Sequence, residues 1–445
     1  MVNPAIFKAY DIRGIYPSEL DEDTAYRIGR GMVTFLQANQ VAIGHDMRIS
    51  SPQLAQAVMR GITDQGADAI DLGLTTTDEL YFAVGKFGYP AGVMITASHN
   101  PAQYNGMKIC REQAIALSAD SGLQQIRDLA ISGDFPPAGR KGAIIKRDIT
   151  DDYVKHVLSF IDRTKIRPLK IAIDAGNGMA GIIVPKVFAH LPCEIVPLYF
   201  ELDGRFPNHP ANPMEPQNIV DLQQAVREHH ADLGVAFDGD ADRMFLVDER
   251  AQAIGGDIVT ALVSLNLLRK HPGSTILYNA ICSRSVPELI ERAGGRAIRS
   301  RVGHSFIKAQ MREVNAIFAG EHSGHFYYRD NWFADSGLIA FLLVLELVSI
   351  ENKPLSELIA PLDTRFRSGE INFAVEDIAG TLKAIEHHYA DAQIDHLDGL
   401  TVSYPTWWFN LRPSNTEKLL RLNLEADTRA LMEEKRDEVI RLIRG

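Results

Sequence analysis

The sequence of 445 residues predicts an α/β fold, in which three similar α/β domains with mixed, largely parallel sheets surround a cleft and a C-terminal α+β lid domain follows. Strand-like and helix-like segments alternate through most of the chain, which is typical of βαβ units. The alternation occurs in three successive sets, and in each set the third strand runs into a polar loop. Residues 366–445 change character to short strands with tight connections and two helices.

Composition restricts the classes of function. The net charge of -11 argues against a general surface for nucleic acid or anionic membranes. The three cysteines, Cys110, Cys193 and Cys282, form no metal or redox spacing, which indicates a reducing, cytoplasmic setting. The N-terminus has no apolar signal core, and the apolar segment 338–350, interrupted by Glu346, is short for a bilayer and predicts a buried core helix. We therefore expect a cytoplasmic monomer or homodimer with no nucleic-acid or membrane partner.

The first domain is predicted over residues 1–148. Its elements are strands at 41–44, 69–72 and 91–95 and helices at 52–63 and 78–86. The last strand leads into the loop Thr96-Ala97-Ser98-His99-Asn100-Pro101, at the strand end where open α/β sheets bind ligands. Ser98 is a candidate nucleophile that His99 and the downstream Lys108 could activate. The alternative is a serine that caps a turn beside a surface histidine.

The second domain is predicted over 149–252, with a helix at 151–161 and strands at 170–173, 194–198 and 233–237. Its loop carries Asp238, Asp240 and Asp242, three carboxylates that repel one another unless a cation lies among them. Oxygen ligands without histidine or cysteine suit magnesium or calcium. A phosphate oxygen on Ser98 would complete the ligand set, and Arg243 would steady the charge of a transferring phosphoryl group. A structural calcium loop or a solvated acidic turn is the alternative.

The third domain is predicted over 253–365, with strands at 275–279, 296–300 and 316–318. In its loop, Glu321 offers a bidentate acceptor for a pair of sugar hydroxyls, Ser323 both donates and accepts, and His325 could move a proton near neutral pH. Arg301 and His304 lie shortly before this loop and are further candidate contacts. The alternative is a polar, solvated turn.

The fourth domain is predicted over 366–445, with strands at 370–375, 401–404, 407–411 and 419–424 and helices at 377–388 and 428–444. Small hydroxyl and amide side chains together with arginine form a cradle for a phosphate anion. The candidate cradle residues are Arg412, Ser414, Asn415, Thr416 and Arg421. Their place on a separate end domain suggests a lid that grips a phosphate. A β-turn with a solvated arginine is the alternative.

One further motif competes with these loops. The stretch Gly176-Asn177-Gly178-Met179-Ala180-Gly181 matches the dinucleotide fingerprint G-x-G-x-x-G, with Glu201 twenty residues beyond. An NAD-dependent oxidoreductase would, however, leave the four polar loops without a purpose. A tight strand-to-helix turn packed against its neighbours is therefore the favoured explanation of the glycines.

The four loops, in this order, resemble the α-D-phosphohexomutase superfamily and, within it, the bacterial phosphomannomutase/phosphoglucomutase branch. The resemblance runs from Lys8-Ala9-Tyr10-Asp11-Ile12-Arg13-Gly14 to Arg421. It implies four domains around a central cleft, a phosphorylated Ser98, magnesium on the three aspartates, and sugar recognition by Glu321 and Ser323. It also implies a cleft lined by Tyr10, Arg13, His99, Lys108, Arg243, His304 and His325, with Lys108 and His325 as acid and base candidates.

The implied activity is the reversible interconversion of hexose 6-phosphate and hexose 1-phosphate through a hexose 1,6-bisphosphate intermediate. The sequences GEHSGH and RPSNTE are similar to those of the mannose/glucose group, whereas phosphoglucosamine mutases remain the alternative within the superfamily. Relatives can carry a lysine near Ile281 as a sugar contact. This chain lacks it, and Arg284 is the candidate substitute.

Overall fold

The computed structural model describes residues 2–414 and 419–444, which form four sheets with helices packed on them. The first sheet has the order β1-β5-β4-β2-β3-β7, with β6 beside β5. Its strands are β1 (Ile12–Ile15), β2 (Gln40–His45), β3 (Asp68–Leu74), β4 (Ala91–Ile95), β5 (Tyr104–Arg111), β6 (Ile115–Ala116) and β7 (Ile144–Lys146). The helices that accompany it are α1 (Glu22–Leu36), α2 (Ser51–Asp64), α3 (Thr77–Phe87) and α4 (Leu123–Ser132).

The second sheet has the order β12-β11-β10-β8-β9. Its elements are α5 (Thr150–Leu158), β8 (Lys170–Asp174), α6 (Ala180–Phe188), β9 (Glu194–Leu198), α7 (Val220–His229), β10 (Leu233–Phe237), β11 (Met244–Asp248) and β12 (Ala253–Ile254). Because β12 pairs with β11, this sheet extends two residues beyond the domain boundary predicted at residue 252. The exact boundaries of the four domains stay predictions.

The third sheet has the order β14-β13-β15-β16-β17. Its elements are α8 (Gly256–Lys270), β13 (Thr275–Asn279), α9 (Ser285–Arg292), β14 (Arg296–Ser300), α10 (His304–Val314), β15 (Phe318–Gly320), β16 (Phe326–Tyr328), β17 (Ala334–Asp335), α11 (Gly337–Glu351) and α12 (Leu355–Ile359). The predicted core helix at 338–350 corresponds to α11, which is buried along nearly all of its length, as expected of a helix that is apolar on every face.

The fourth sheet is antiparallel, with the order β18-β22-β21-β20-β19. Its elements are β18 (Phe366–Phe373), α13 (Ile378–His388), β19 (Gln393–Asp395), β20 (Leu400–Ser403), β21 (Trp407–Pro413), β22 (Leu420–Ala426) and α14 (Arg429–Arg444). Strand β18 begins earlier than the predicted 370–375, because a register shift between Arg367 and Glu370 interrupts the alternating pattern by which the strand is recognised.

The first three sheets share one topology, which confirms the predicted internal repeat. In each, two parallel strands flank the first strand of the set, and the third strand is followed by an antiparallel fourth: β4 by β5, β10 by β11, and β15 by β16. The mixed sheets therefore have a parallel half and an antiparallel half. Each of the three polar loops connects a parallel strand to its antiparallel neighbour, so the loops occupy equivalent positions in the three domains.

Apolar packing joins the first three domains and leaves the fourth separate. One continuous core includes Phe82, Val235 and Leu343, from the first, second and third domains. The fourth domain has its own core around Phe409. Its junction with the third domain carries ion pairs, such as Arg367 Nη1 to Asp257 Oδ2 at 2.7 Å. Among the described residues, no helix has both the length and the apolar composition required to cross a bilayer.

A buried carboxylate ties the first three domains together. Asp78, in the first turn of α3, accepts hydrogen bonds from Tyr153 Oη of α5 at 2.5 Å and from Ser336 Oγ, at the start of α11, at 2.7 Å. Thr76, which caps α3, donates a third hydrogen bond to it. Burial raises the pKa of Asp78 to about 6, although these three hydrogen bonds lower it.

This pKa shift predicts a pH-dependent stability difference between the wild type and Asp78→Asn. The unfolded chain loses the Asp78 proton near pH 4 and the folded chain only near pH 6, so the carboxyl costs stability progressively as pH rises between these values. At pH 7 this cost is on the order of 3 kcal/mol, since one pKa unit corresponds to about 1.4 kcal/mol. Thermal unfolding midpoints at pH 4 and pH 7 test the prediction: the wild type must lose stability relative to Asp78→Asn as pH rises, and a constant difference would contradict it.

Candidate active site

Ser98 lies in the loop between β4 and β5, buried and aimed at the second domain. Its backbone adopts the left-handed region, with φ +49°, and its N–H donates to Thr96 Oγ1 at 2.9 Å. Ser98 Oγ donates to Asp238 Oδ2 at 2.7 Å and lies 3.2 Å from His99 Nδ1. The geometry therefore brings together the candidate nucleophile and the acidic loop, which are 140 residues apart in sequence.

The three aspartates of the second loop form a buried cluster of oxygen atoms. Asp238, Asp240 and Asp242 are at most 1% exposed, and one carboxylate oxygen from each lies within 4.8 Å of the others. Among the described residues, Asp240 Oδ1 and Asp242 Oδ1 have no hydrogen-bond partner. Burial raises the pKa of Asp238 to about 7 against the opposing effect of Arg243. Buried, partly unpaired carboxylates of this kind fit a hard divalent cation.

Two cations from different domains flank the cluster. Lys108 of β5 places Nζ 2.7 Å from Asp240 Oδ2 and 2.5 Å from Asp242 Oδ2. Burial alone would lower the pKa of Lys108, but these carboxylates hold it well above its usual value. Arg243 Nε donates to Asp238 Oδ2 at 2.9 Å. Three carboxylates against two cations leave a net negative charge, which a divalent ion would offset.

The third loop is joined to the second by backbone contacts. Arg243 and His325 form an antiparallel bridge, and His325 Nε2 lies 3.9 Å from Asp242 Oδ1. His325 Nδ1 is 3.1 Å from Ser323 Oγ. Burial lowers the pKa of His325 below its usual value, so the imidazole is neutral at neutral pH and able to accept a proton.

Glu321 is oriented by its own domain. Tyr327 Oη donates to Glu321 Oε1 at 2.5 Å, and the Gly303 N–H donates to Oε2 at 3.3 Å. Arg301, two residues earlier, is exposed, with its guanidinium 4.3 Å from the centre of the Phe306 ring. The carboxylate is therefore fixed, whereas Arg301 is directed to a neighbouring ring.

A cavity of about 610 Å³ runs between the loops, a volume suited to a small ligand. In its wall, the rings of Tyr10 and His304 are in edge-to-face contact with their centroids 5.0 Å apart, and Arg13 pairs with Asp11 at 2.8 Å. Its wall is formed by Lys8, Tyr10, Asp11, Arg13, Glu19, Tyr81, Ser98, His99, Asn100, Tyr104, Lys108, Asp242, His304, His325, Asp335 and Arg421. Side chains from all four domains thus contribute to a single cleft. The predicted site residues that the structure describes but that lie outside this wall are Asp238, Asp240, Arg243, Arg301, Glu321, Ser323, Arg412 and Ser414.

The fourth domain supplies two paired arginines. Arg412 of β21 and Arg421 of β22 are cross-strand neighbours, and both pair with Glu370, at 3.0 Å and 3.2 Å. Ser414 follows directly and donates its N–H to Leu419 O at 2.8 Å. Asn415 and Thr416, also predicted to bind phosphate, lie outside the described residues. The described part of the loop therefore presents positive charge to the cleft through Arg421.

The geometry bears on two interpretations of the sequence, one of Arg284 and one of the G-x-G-x-x-G motif. Arg284 does not replace the missing lysine near Ile281, because its guanidinium donates to Tyr404 O at 2.8 Å, at the junction with the fourth domain. The G-x-G-x-x-G glycines serve close packing: a Cβ on Gly178 would lie 2.7 Å from Gly239 O. Since that contact is with the backbone of the aspartate loop, the motif supports this loop and is no sign of a dinucleotide site.

Sequence reasoning overlooked residues that hold the loops in place. Thr77, the first residue of α3, donates from Oγ1 to Asp240 Oδ2 at 2.5 Å. Arg48, in the loop after β2, donates to four backbone carbonyls of the Ser98 loop. The available signal for Arg48 was its position directly after a strand whose carboxyl end lies at the ligand-binding edge of the sheet.

Comparison with known proteins agrees with this architecture. Four models of the phosphoglucomutase/phosphomannomutase family match: the alpha/beta/alpha domains I, II and III at residues 4–136, 151–255 and 255–366, and the C-terminal domain at 370–442. The chain is 42% identical to a phosphomannomutase of Escherichia coli over 457 aligned positions, with all of both chains covered. It is 43% identical to phosphohexose mutases of Xanthomonas campestris, again with full coverage of both.

Solved structures give the same result. The fold matches a phosphoglucomutase/phosphomannomutase family protein from Burkholderia thailandensis with a TM-score of 0.91 and 33% identity, over 99% of this chain and 97% of the other. Because the matches extend over the whole cleft and all four of its loops, the chain belongs to the phosphoglucomutase/phosphomannomutase family.

Proposed function

We propose that this phosphohexomutase interconverts the 6-phosphate and the 1-phosphate of mannose, and also of glucose, by way of a phosphoserine at residue 98. The observation that carries the proposal is the contact of Ser98 Oγ with Asp238 Oδ2 at 2.7 Å, at the wall of a cleft that Arg421 of the fourth domain also lines. One end of the cleft can hold a transferable phosphoryl group and the other a spectator phosphate. The names of the relatives, phosphomannomutase and phosphohexose mutase, support these sugars.

Asp238, Asp240 and Asp242 are the residues that would hold magnesium, together with an oxygen of phosphoserine 98. When bound, the ion would neutralise phosphoryl oxygens and polarise the bond to be broken. The residues fit this role because their donor atoms are all oxygen and two of these oxygens have no hydrogen-bond partner among the described residues. Arg243, fixed on Asp238, adds a cation for the charge of the transferring group.

The transfer step exchanges one P–O bond for another. The bond from phosphorus to Ser98 Oγ breaks as a bond from phosphorus to the free sugar hydroxyl forms, and the proton of that hydroxyl passes to a base. His325 is the base candidate, because its buried imidazole is neutral at neutral pH. Lys108 is the acid candidate that returns a proton to Ser98 Oγ, since neighbouring carboxylates keep its ammonium protonated. His99 Nδ1, 3.2 Å from Oγ, orients the hydroxyl between transfers.

The resulting hexose 1,6-bisphosphate must turn end for end before the second transfer, and when added from outside it would also act as the activator that phosphorylates Ser98. Arg412, Ser414, Asn415, Thr416 and Arg421 would hold whichever phosphate is not reacting. Glu321 and Ser323 would bind hydroxyls that occupy similar places in both orientations, and sparing contacts at C2 would allow both mannose and glucose. Closure by the fourth domain would exclude water, which would otherwise hydrolyse the phosphoserine.

A coupled assay with mannose, glucose and glucosamine 1-phosphates, each with and without chelator, tests the proposal. We expect turnover of the mannose and glucose phosphates, a requirement for magnesium, and activation by the corresponding bisphosphate. A preference for glucosamine phosphate would assign the chain to the phosphoglucosamine mutases. Turnover that survives the chelator, or a change in nicotinamide absorbance when the coupling enzymes are left out, would reject the proposal.

A further inference from the structure

We propose that Arg48 is a positioning residue for phosphoryl transfer, which acts by holding Ser98 in the conformation that aims its hydroxyl at the aspartate cluster. Arg48 follows β2 and is 1% exposed. It does not line the cleft among the described residues, so any effect on turnover must pass through the loop that it holds. The inference rests on the proposed role of Ser98 in the reaction.

The guanidinium of Arg48 binds the carbonyls on both sides of the loop. Nη2 donates to Ser98 O at 2.8 Å and to Asn100 O at 2.6 Å. Nη1 donates to Pro101 O at 2.9 Å and to Tyr104 O at 3.0 Å. Four carbonyl oxygens thus converge on one planar cation. The rigid fork of an arginine can meet four acceptors at once, whereas the three donors of a lysine ammonium cannot.

The loop requires this support because of the backbone at Ser98. With φ at +49°, Ser98 occupies the left-handed region that residues with a Cβ rarely adopt. Strained conformations of this kind persist only where the surroundings fix them, and they cluster at functional sites. Without the contact from Arg48 to Ser98 O, the peptide is free to relax and Oγ moves away from Asp238.

Arg48 is itself fixed from two sides. Its Nε lies 3.2 Å from Asp46 Oδ2 in a fully buried ion pair, which offsets the charge. From the second domain, the Phe206 ring lies 5.1 Å from the guanidinium carbon, and a Cβ on Gly204 would lie 2.6 Å from Arg48 Cα. The loop that follows β9 therefore covers Arg48. The second domain thus contributes the three aspartates and also packs against the residue that orients Ser98.

Arg48→Lys is the main test, with Arg312→Lys as the matched control. Arg312 also donates to backbone carbonyls, Gln113 O at 3.1 Å and Trp332 O at 2.8 Å, neither of which belongs to a polar loop of the cleft. We expect kcat of Arg48→Lys to fall by about 10²-fold, as for a small misplacement of a reacting group, with KM nearly unchanged. Arg312→Lys should keep the wild-type kcat. A kcat of Arg48→Lys within threefold of the wild type, or a parallel loss in the control, would overturn the inference.

Chemical rescue separates positioning from general destabilisation. In Arg48→Ala, guanidinium ion at millimolar concentrations, far below those that unfold proteins, should enter the space left and restore part of kcat, and urea should not. Absence of rescue in a folded Arg48→Ala would count against the proposal.

If both Arg48 variants fail to fold, Phe206→Leu provides the test. This substitution loosens the packing over Arg48 and should lower kcat severalfold at unchanged KM. A wild-type kcat would overturn the inference.

The same experiments distinguish this inference from the proposed function. Intact-protein mass measurements after incubation with glucose 1,6-bisphosphate report whether Ser98 gains a phosphoryl group. If the wild type never gains it, the proposed function fails. If the wild type gains it and Arg48→Lys gains it at the same rate, only the role of Arg48 fails.

Discussion

Replacement of Ser98 by alanine is expected to lower kcat by at least about 10⁴-fold, the scale on which loss of an activated nucleophile acts in other enzymes, and to leave sugar-phosphate binding nearly intact. In the proposed mechanism every cycle requires a phosphoryl group on Ser98 Oγ, and among the described residues Ser98 carries the one hydroxyl that hydrogen-bonds to Asp238. In the same mechanism the fourth domain would hold the spectator phosphate, so its binding would not depend on Oγ. A coupled assay gives kcat, and calorimetric titration with glucose 1-phosphate gives the Kd.

The control for this substitution is Ser159→Ala, at the exposed end of α5, where Oγ donates only to His156 O. It should show the wild-type kcat. In intact-protein mass measurements, the wild type exposed to glucose 1,6-bisphosphate should gain one phosphoryl group, and Ser98→Ala none. Substantial turnover by Ser98→Ala, or a phosphoryl group at another residue, would remove the basis of the proposed mechanism.

The sequence was sufficient to predict those site residues that are grouped within one short loop. Ser98 and Asp238 each follow an apolar strand within a short polar run, so the strand pattern and the loop composition point to the same place. The threefold repeat made their convergence predictable, since equivalent strand ends lie at equivalent positions. The antiparallel strands that follow these loops were not predicted, because a short apolar run gives no strand direction.

The residues that hold the loops and domains in place could not be predicted, because their partners are far away in sequence. Asp78, Thr77 and Arg48 act through partners 50 to 258 residues away, and none belongs to a local pattern. Arg284 shows the opposite case, because it was a candidate substitute for a missing lysine close to it in sequence, whereas its carbonyl acceptors lie at a domain junction. Sequence proximity predicts which residues share a loop, whereas only tertiary structure shows where a long side chain points.

The charges of the site make its metal requirement the second large effect. Asp238, Asp240 and Asp242 form ion pairs with Lys108 and Arg243, and a phosphate on Ser98 would add about -1.5 to -2 charges. Repulsion between this phosphate and the carboxylates is strong at these distances in a buried site. A phosphoserine would therefore be expelled from the cluster unless a divalent cation lies between them.

We accordingly expect chelation to reduce kcat by at least about 10³-fold, with recovery on addition of magnesium, because the cation supplies much of the charge stabilisation in phosphoryl transfer.

Asp240→Asn keeps the shape of the side chain and removes one charge, so it should lower both kcat and the affinity for magnesium. Asp128→Asn, at an exposed position, serves as the control and should change neither. In thermal unfolding, magnesium should raise the midpoint of the wild type more than that of Asp240→Asn. Two results would show that the ion does not bind at these aspartates: an equal rise of the unfolding midpoint in both proteins, or undiminished turnover after chelation. The net negative charge of the cluster would then require another counter-ion.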